Sequence, residues 1–169
     1  MKQIPGGVTA AKGFEAAGVE AGIKYKNRMD MALVYSEVPC KAAGSFTTNV
    51  VKAAPVKWDQ KVVYEKGCAQ AVIINAGVAN ACTGAEGYGY CLETAKAAGN
   101  VFGIPQEAVL VASTGVIGMQ LPMDKILNGV NLLAEAKGDS LDHGTLASKA
   151  IMTTDTVNKE IAVEVEIGG

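Results

Sequence analysis

Apolar residues fall along this chain in two kinds of block. The first is a short, nearly unbroken run: Met31-Ala-Leu-Val-Tyr35, Ala69-Gln-Ala-Val-Ile-Ile74 and Val109-Leu-Val-Ala112. Runs of this length, bounded by glycine or polar residues, predict strands covered on both faces. The second kind has helical spacing. Between Glu86 and Gly103, the residues Leu92, Ala95, Gly99 and Phe102 fall near one face, and Gly103-Ile-Pro105 stops the helix. Ile126, Val130 and Leu133 follow the i, i+4, i+7 pattern after Pro122 and Met123, with Lys137-Gly138 as the end. A short helix is predicted from Trp58 to Glu65, ended by Gly67, with Trp58 as a core anchor. Asp142 is the expected cap of a last short helix through Ala150.

Three further stretches complete the pattern. Ser36-Glu-Val-Pro39 should close the first strand, because proline has no ladder donor. Gly44-Ser-Phe-Thr-Thr-Asn49 resembles another strand ending in polar groups. From Glu160 to Ile167 the alternation is regular: Ile161, Val163, Val165 and Ile167 on one face, Glu160, Glu164 and Glu166 on the other. That predicts a half-solvated antiparallel strand with an exposed apolar face for a partner to cover. Pro5-Gly-Gly7 is expected to leave the N-terminus loose. Without a repeat or a convincing linker, residues 1–169 are read as one domain of α/β or α+β class.

Small polar residues gather where the apolar runs end. Asn75-Ala-Gly-Val-Ala-Asn-Ala-Cys-Thr-Gly84 follows one strand, and Ser113-Thr-Gly-Val-Ile-Gly118 follows another. Glycine permits a sharp turn there, so the Thr114 hydroxyl and the Gly115 N–H could converge on one oxygen. Acyl-transfer chemistry needs fixed donors of that kind, yet an ordinary strand-to-loop turn fits the same residues. Asn75, Asn80 and Thr83 can hold a ligand or satisfy the turn backbone. Met152-Thr-Thr-Asp-Thr156 is a second hydroxyl cluster; its local reading is a capped turn in which Asp155 bonds nearby N–H groups.

Composition narrows the classes. Apolar residues are 49% and charged residues 19%, which marks a globular chain. A net charge of -2 gives no reason to expect nucleic acid or an anionic membrane as partner. No apolar stretch approaches a membrane span, and Gln3-Ile-Pro-Gly-Gly7 is no signal h-region, so the expected location is cytoplasmic. Cys40, Cys68, Cys82 and Cys91 form no Cys-x-x-Cys, and His143 is the one histidine, so no metal site is argued for. Gly-x-Gly-x-x-Gly and the Walker loop are absent, which leaves no nucleotide cofactor.

A resemblance then emerges from motifs taken together. Gly7-Val-Thr-Ala, Lys12-Gly-Phe14, Leu33-Val-Tyr-Ser36, Phe46-Thr-Thr-Asn49, Val51-Lys-Ala-Ala-Pro-Val56, Asn80-Ala-Cys-Thr-Gly84, Ser113-Thr-Gly-Val-Ile-Gly118 and Ile151-Met-Thr-Thr-Asp-Thr156 occur in that order. The same order is found in the ornithine acetyltransferases, also called glutamate N-acetyltransferases, or ArgJ proteins. The resemblance implies a DmpA/ArgJ-like α/β fold with mixed sheets and packed helices. It also implies a precursor that cuts itself before a threonine, which becomes the nucleophile at the start of a β chain. The reaction so implied is the transfer of acetyl from N-acetylornithine to glutamate through an acetyl-enzyme, and the assembly an α2β2 heterotetramer. No cofactor is implied, although bifunctional members use acetyl-CoA as a substrate. By the same resemblance, Thr114 and Gly115 supply the oxyanion hole and Thr153 contacts substrate. The family's Lys-Gly-Ser-Gly-Met and Asn-Met-Ala-Thr segments are not in these residues, so the sequence resembles most of an α chain. Ala76 and Val78 stand where the family usually has polar residues, which argues against a polar role at those two positions, though not at Asn80 or Thr83.

Two other classes compete. One is a cysteine enzyme built from Cys82 and His143, for which nothing in the sequence joins thiol and base. The other is a non-catalytic small-ligand binding or scaffold domain.

Overall fold

The structure, a computed structural model, describes residues 1–168. Its centre is a four-stranded sheet in the order β2-β3-β4-β5, formed by Phe14–Val19 (β2), Met31–Lys41 (β3), Cys68–Val78 (β4) and Val109–Val116 (β5). The first three strands are mutually antiparallel; β4 and β5 run parallel. A parallel pair needs a crossover, and the helix Glu86–Phe102 (α2) supplies it. The remaining helices are Ala54–Lys61 (α1), Met123–Ala136 (α3) and Leu141–Ala150 (α4). Lys2–Ile4 (β1) and Ala162–Glu164 (β6) make a separate antiparallel pair.

The apolar runs become strands because both faces of the sheet are packed. On one face Ala17, Leu33, Ile73 and Val111 lie in one register row. They bury against Trp58 of α1, Cys91, Ala95 and Ala98 of α2, and Ile126, Val130 and Leu133 of α3. On the other face Ala16, Ala32 and Ile74 meet Ala147 and Ala150 of α4. Small residues are needed there: a β-carbon on Gly18 would lie 2.3 Å from the Leu146 carbonyl oxygen. α4 covers β2 and part of β3, whereas Val34, Val72, Ile74 and Ala112 on that face remain half-buried. A groove of about 560 Å³ runs there, lined by Val34, Ile74, Ala147, Ile151 and Ile161 among others.

The outer edge of β5 is closed by α1. Trp58 Nε1 donates to the Val109 carbonyl at 2.8 Å, and Asp59 Oδ1 accepts the Val111 N–H at 3.0 Å. Two side chains of a helix thus occupy the bonding positions that a fifth strand would have used. Trp58 is 2% exposed, as an anchor should be.

Several expectations hold. The strands at residues 31–35, 69–74 and 109–112 form, as do the helices beginning at Glu86 and Met123. Gly67 and Gly103 end their helices at φ 61° and 67°. The helix begun by α1 continues as a π-turn, Val62–Lys66.

Others need correction. β3 does not stop at Ser36 but continues to Lys41, through a register shift between Tyr35 and Cys40. The shift leaves Pro39 outside the regular ladder, so its missing N–H costs nothing there. Gly44–Asn49 is not a strand: Thr47 Oγ1 accepts the Asn49 N–H and Asn49 Oδ1 accepts that of Val51. These local bonds replace a ladder. Ser140, not Asp142, stands at the cap position of α4, and Asp142 lies in the first turn. The N-terminus is not loose, because β1 pairs with β6 (Gln3 opposite Val163). The alternating stretch keeps only Ala162–Glu164 as strand; β1 is three residues long and gives no longer a template. Leu92, expected inward on α2, is among the exposed large hydrophobics. The exposed apolar face does appear: Ile161, Val163, Val165 and Ile167 are 66, 46, 51 and 89% exposed.

Candidate functional site

The C-terminal ends of β4 and β5 lie side by side, and there the sequence diverges most from simple turns. Ser113-Thr-Gly115 is strand, not turn: Ser113 pairs with Asn75, Thr114 with Ala76 and Gly115 with Gly77. The ladder continues to Val78 opposite Val116 because two glycines meet across it. Gly77 has φ 102° and Gly115 φ 129°, conformations that L side chains rarely adopt. The turn comes later, and Gly118 N–H donates to the Ala81 carbonyl at 2.9 Å.

Under this strand end lies a buried hydrogen-bond network. Ser113 Oγ donates to Asn75 Oδ1 at 2.7 Å and accepts the Asn80 N–H at 2.8 Å. Asn75 Nδ2 donates to the Val78 carbonyl at 2.7 Å. Asn80 Nδ2 donates to the Gly87 carbonyl (2.8 Å) and to Cys91 Sγ (3.3 Å), while its Oδ1 accepts the Thr83 hydroxyl at 2.7 Å. Asn75, Asn80 and Thr83 are buried. Of the two readings left open for them, satisfying the turn backbone is the one the contacts support. Their partners lie on β4, β5, the 79–84 loop and α2, and together they fix residues 79–84 against β5 and the start of α2.

Thr114 stands on the other side of this arrangement. Alternation along β5 puts Ser113 over the network, and Thr114 on the face shared with Ala112, Ile74 and Ala76. Thr114 is half-buried and Gly115 exposed, and no hydrogen bond of the network uses the Thr114 hydroxyl. A hydroxyl and a backbone amide on adjacent residues, held on a rigid strand end, are donors that a developing oxyanion could use.

Thr153 follows α4, on that same face. Arg28 Nη2 donates to its carbonyl at 3.0 Å and also bonds the Met152 carbonyl. The segment before β3, which carries Arg28, lies at the end of the sheet where Met31 pairs with Asn75. Thr153 and Thr114 therefore share a face and an end of the sheet, without a hydrogen bond between them. Asp155 Oδ2 accepts the Thr153 N–H at 3.3 Å, the capped turn the sequence suggested. Lys159 bonded to Asp155, together with that N–H, holds its carboxyl below the usual range.

One organising residue has no sequence signature. Asp30 is 1% exposed; its two carboxylate oxygens accept the Ala21 and Ile23 N–H groups at 2.7 and 2.6 Å. Its carbonyl accepts the Ala76 N–H at 2.8 Å, which brings the 20–30 loop over the end of β4. A lone aspartate between Met29 and Met31 looks like a strand-edge charge until the loop is folded back on it.

The cysteine alternative loses its geometry. Cys82 is exposed at φ 57° in a cavity of about 450 Å³ with Lys52, Lys57 and Tyr88, beside the starts of α1 and α2. His143 is on α4, across the sheet, where its Nδ1 bonds Ser140 Oγ at 2.7 Å. Cys91 is buried, and desolvation, with Asp59 nearby, pushes its thiol up to about 12. It is a packing residue. Among the described residues no cluster of three or more His, Cys, Asp or Glu side chains could hold a metal. No helix among them is long and apolar enough to cross a membrane.

These features define a mixed α/β fold in which the Thr114 hydroxyl and the Gly115 N–H lie at one end of the sheet. The comparison with known proteins makes the class specific. The model of the ArgJ family matches residues 15–169, and the chain belongs to that family. It is 46% identical over 166 residues to the arginine biosynthesis bifunctional protein ArgJ of Gloeobacter violaceus, covering 98% of this chain and 40% of the relative. The corresponding protein of Lactococcus lactis is 48% identical over 169 residues, covering 100% of this chain and 41% of the relative. The chain thus spans about two-fifths of the length of these curated relatives. Among solved structures, ornithine acetyltransferase of Mycobacterium tuberculosis, crystallised with ornithine, superposes with TM-score 0.89 at 46% identity, over 95% of this chain and 86% of that one. The Bacillus halodurans ArgJ structure gives TM-score 0.86 at 41% identity, over 92% and 80%.

Proposed function

We propose that these residues form one domain, most of the α chain of an enzyme that transfers acetyl from N-acetylornithine to glutamate. The nucleophile is the N-terminal threonine of a β chain released from the same precursor by self-cleavage. The observation that carries this reading is the adjacent Thr114 hydroxyl and Gly115 amide, held at the end of β5 in a member of the ArgJ family. Lengths support the division: the chain spans 40–41% of the curated relatives but 80–86% of the crystallised chains.

The partner-chain threonine attacks the acetyl carbonyl of N-acetylornithine, with its own amine taking the hydroxyl proton. The carbonyl oxygen becomes an oxyanion, to which Thr114 Oγ–H and Gly115 N–H donate. Collapse breaks the C–N bond, the proton goes to the leaving nitrogen, and free ornithine departs from an acetyl-threonine ester. The glutamate amine then attacks the ester through a second oxyanion held by the same donors; its proton passes to the departing threonine oxygen by way of the threonine amine, giving N-acetylglutamate and the free threonine. Thr153, whose backbone Arg28 pins, serves as a substrate contact. Acetyl-CoA is a second acetyl donor to test. The exposed Ile161–Ile167 face is assigned to the β chain in an α2β2 assembly, in the cytoplasm.

The test is expression of the complete gene, followed by intact mass and an acetyl-transfer assay. Two fragments, the second beginning with threonine, and glutamate-dependent release of ornithine are expected. A purified, folded product that stays uncut and transfers no acetyl would be a binding or scaffold protein instead.

A further inference from the structure

We propose that Ser113 is a positioning residue: its hydroxyl sets where the donors of Thr114 and Gly115 stand. The proposal rests on the oxyanion reading of those two residues given above.

The Ser113 hydroxyl joins three segments at one point. It donates to Asn75 Oδ1 on β4 at 2.7 Å, with the Val78 carbonyl also within reach at 3.2 Å. It accepts the Asn80 N–H from the following loop at 2.8 Å. Its single proton and one of its two lone pairs are committed. Neither protein partner is free to drift. Asn75 is tied to Val78, and Asn80 is held by Gly87, Cys91 and Thr83 at the start of α2. Ser113 is therefore fastened directly to β4 and the loop, and through Asn80 to α2, on the side of the sheet away from Thr114.

Thr114 and Gly115 have no comparable side-chain anchor of their own. The Thr114 side chain faces the half-covered side, and Gly115 has no side chain. Their backbone is placed by the residue before them, by the ladder opposite Ala76 and Gly77, and by the Ala79 N–H on the Val116 carbonyl beyond. An oxyanion donor must be aimed to within a fraction of an ångström, and a shift of about 1 Å can cost about 10²-fold in rate. Removing the Ser113 hydroxyl leaves the Asn80 N–H without its acceptor and frees the end of β5 to move.

The experiment is a double-mutant cycle in the protein made from the complete gene: Ser113→Ala, Thr114→Ala and the pair, with Ser113→Thr as the conservative variant. Acetyl transfer from N-acetylornithine to glutamate is read as kcat and KM, beside the melting curve. Ser113→Ala should lower kcat about 10–100-fold, leave KM nearly unchanged, and be largely rescued in Ser113→Thr. In the Thr114→Ala background the same change should cost much less, since one of the donors it positions is already gone. A normal kcat for Ser113→Ala beside a slow Thr114→Ala overturns the proposal and leaves the oxyanion reading intact. Equal losses in both backgrounds also overturn it, because Ser113 would then act only on the fold. A normal kcat for Thr114→Ala removes the oxyanion reading, and this proposal with it. Where Ser113→Ala does not fold, Ser113→Cys is read in its place; its weaker hydrogen bonds should give a loss in the same direction.

Discussion

Gly115 lies so close to Gly77 that a β-carbon on it would sit 2.4 Å from the Gly77 carbonyl oxygen and 2.3 Å from the carbonyl carbon. The obstacle is backbone, which cannot swing aside like a side-chain tip. Gly115 is also at φ 129°, outside the range of ordinary residues. Gly115→Ala should therefore destabilise the protein by about 2–5 kcal/mol, combining overpacking and backbone strain. Denaturant titration checks this. A midpoint close to the parent's would mean that β5 can move away from β4 at little cost.

The close pairing of two glycines also shows where sequence reading stops. Strand residues 109–112 were legible because a continuous apolar run needs two covers, and α3 because Ile126, Val130 and Leu133 share a face. Ser113-Thr-Gly115 looked like a turn because glycine usually means one. It is strand because a second glycine, 38 positions earlier at Gly77, makes room for it. The β1–β6 pair joins Lys2–Ile4 to Ala162–Glu164, segments far apart in sequence, so no local pattern could announce it. Asp30 was missed for the same reason: its partners, Ala21 and Ile23, present only N–H groups, which every residue has. The oxyanion candidates were legible through chemistry and resemblance; the network beneath them, centred on Ser113 and Asn80, depends on three-dimensional meeting.

Cys82 and Cys91 offer a contrast in exposure. Cys82→Ser should change kcat by less than about tenfold, since no base is placed against its thiol. Steady-state kinetics on the complete enzyme measure it. A loss of several powers of ten, with an unchanged melting curve, would revive a cysteine mechanism. Cys91, with its thiol pushed up to about 12, should resist alkylation at pH 8 in the folded protein while Cys82 in the isolated chain reacts. Mass mapping of the alkylated peptides distinguishes them.

Thr114→Ala removes one hydroxyl donor and keeps the Gly115 N–H. Losing a donor of this kind costs about 3 kcal/mol, or roughly 10²–10³ in kcat. The donors are aimed at charge that develops in the transition state, so KM for N-acetylornithine should move little. The measurement is steady-state kinetics on fully cleaved enzyme whose melting matches the parent. A near-normal kcat, or a defect confined to KM, would mean that the Thr114 hydroxyl is no oxyanion donor.

Asp59 gives the last prediction, on pH. Its carboxylate accepts the Val111 N–H on the covered edge of β5, which favours the charged form. Desolvation opposes this and wins, raising the carboxyl from 3.8 to about 6. Between those two values the folded protein holds a proton that the unfolded chain has released. Stability from this group is therefore greatest below about pH 4 and falls as pH rises towards 6, then stays at its lower level. Asp59→Asn keeps an oxygen for Val111 and removes the charge. The variant should melt about 2–4 °C above the parent at pH 7.5, and the difference should shrink steadily on acidification to pH 4. Other carboxylates titrate in the same range, so the quantity to follow is the difference between the two proteins, measured at each pH by calorimetry. A constant difference across that range, or a variant less stable at pH 7.5, would mean that the Asp59 charge is well solvated at neutral pH and that its bond to β5 outweighs its burial.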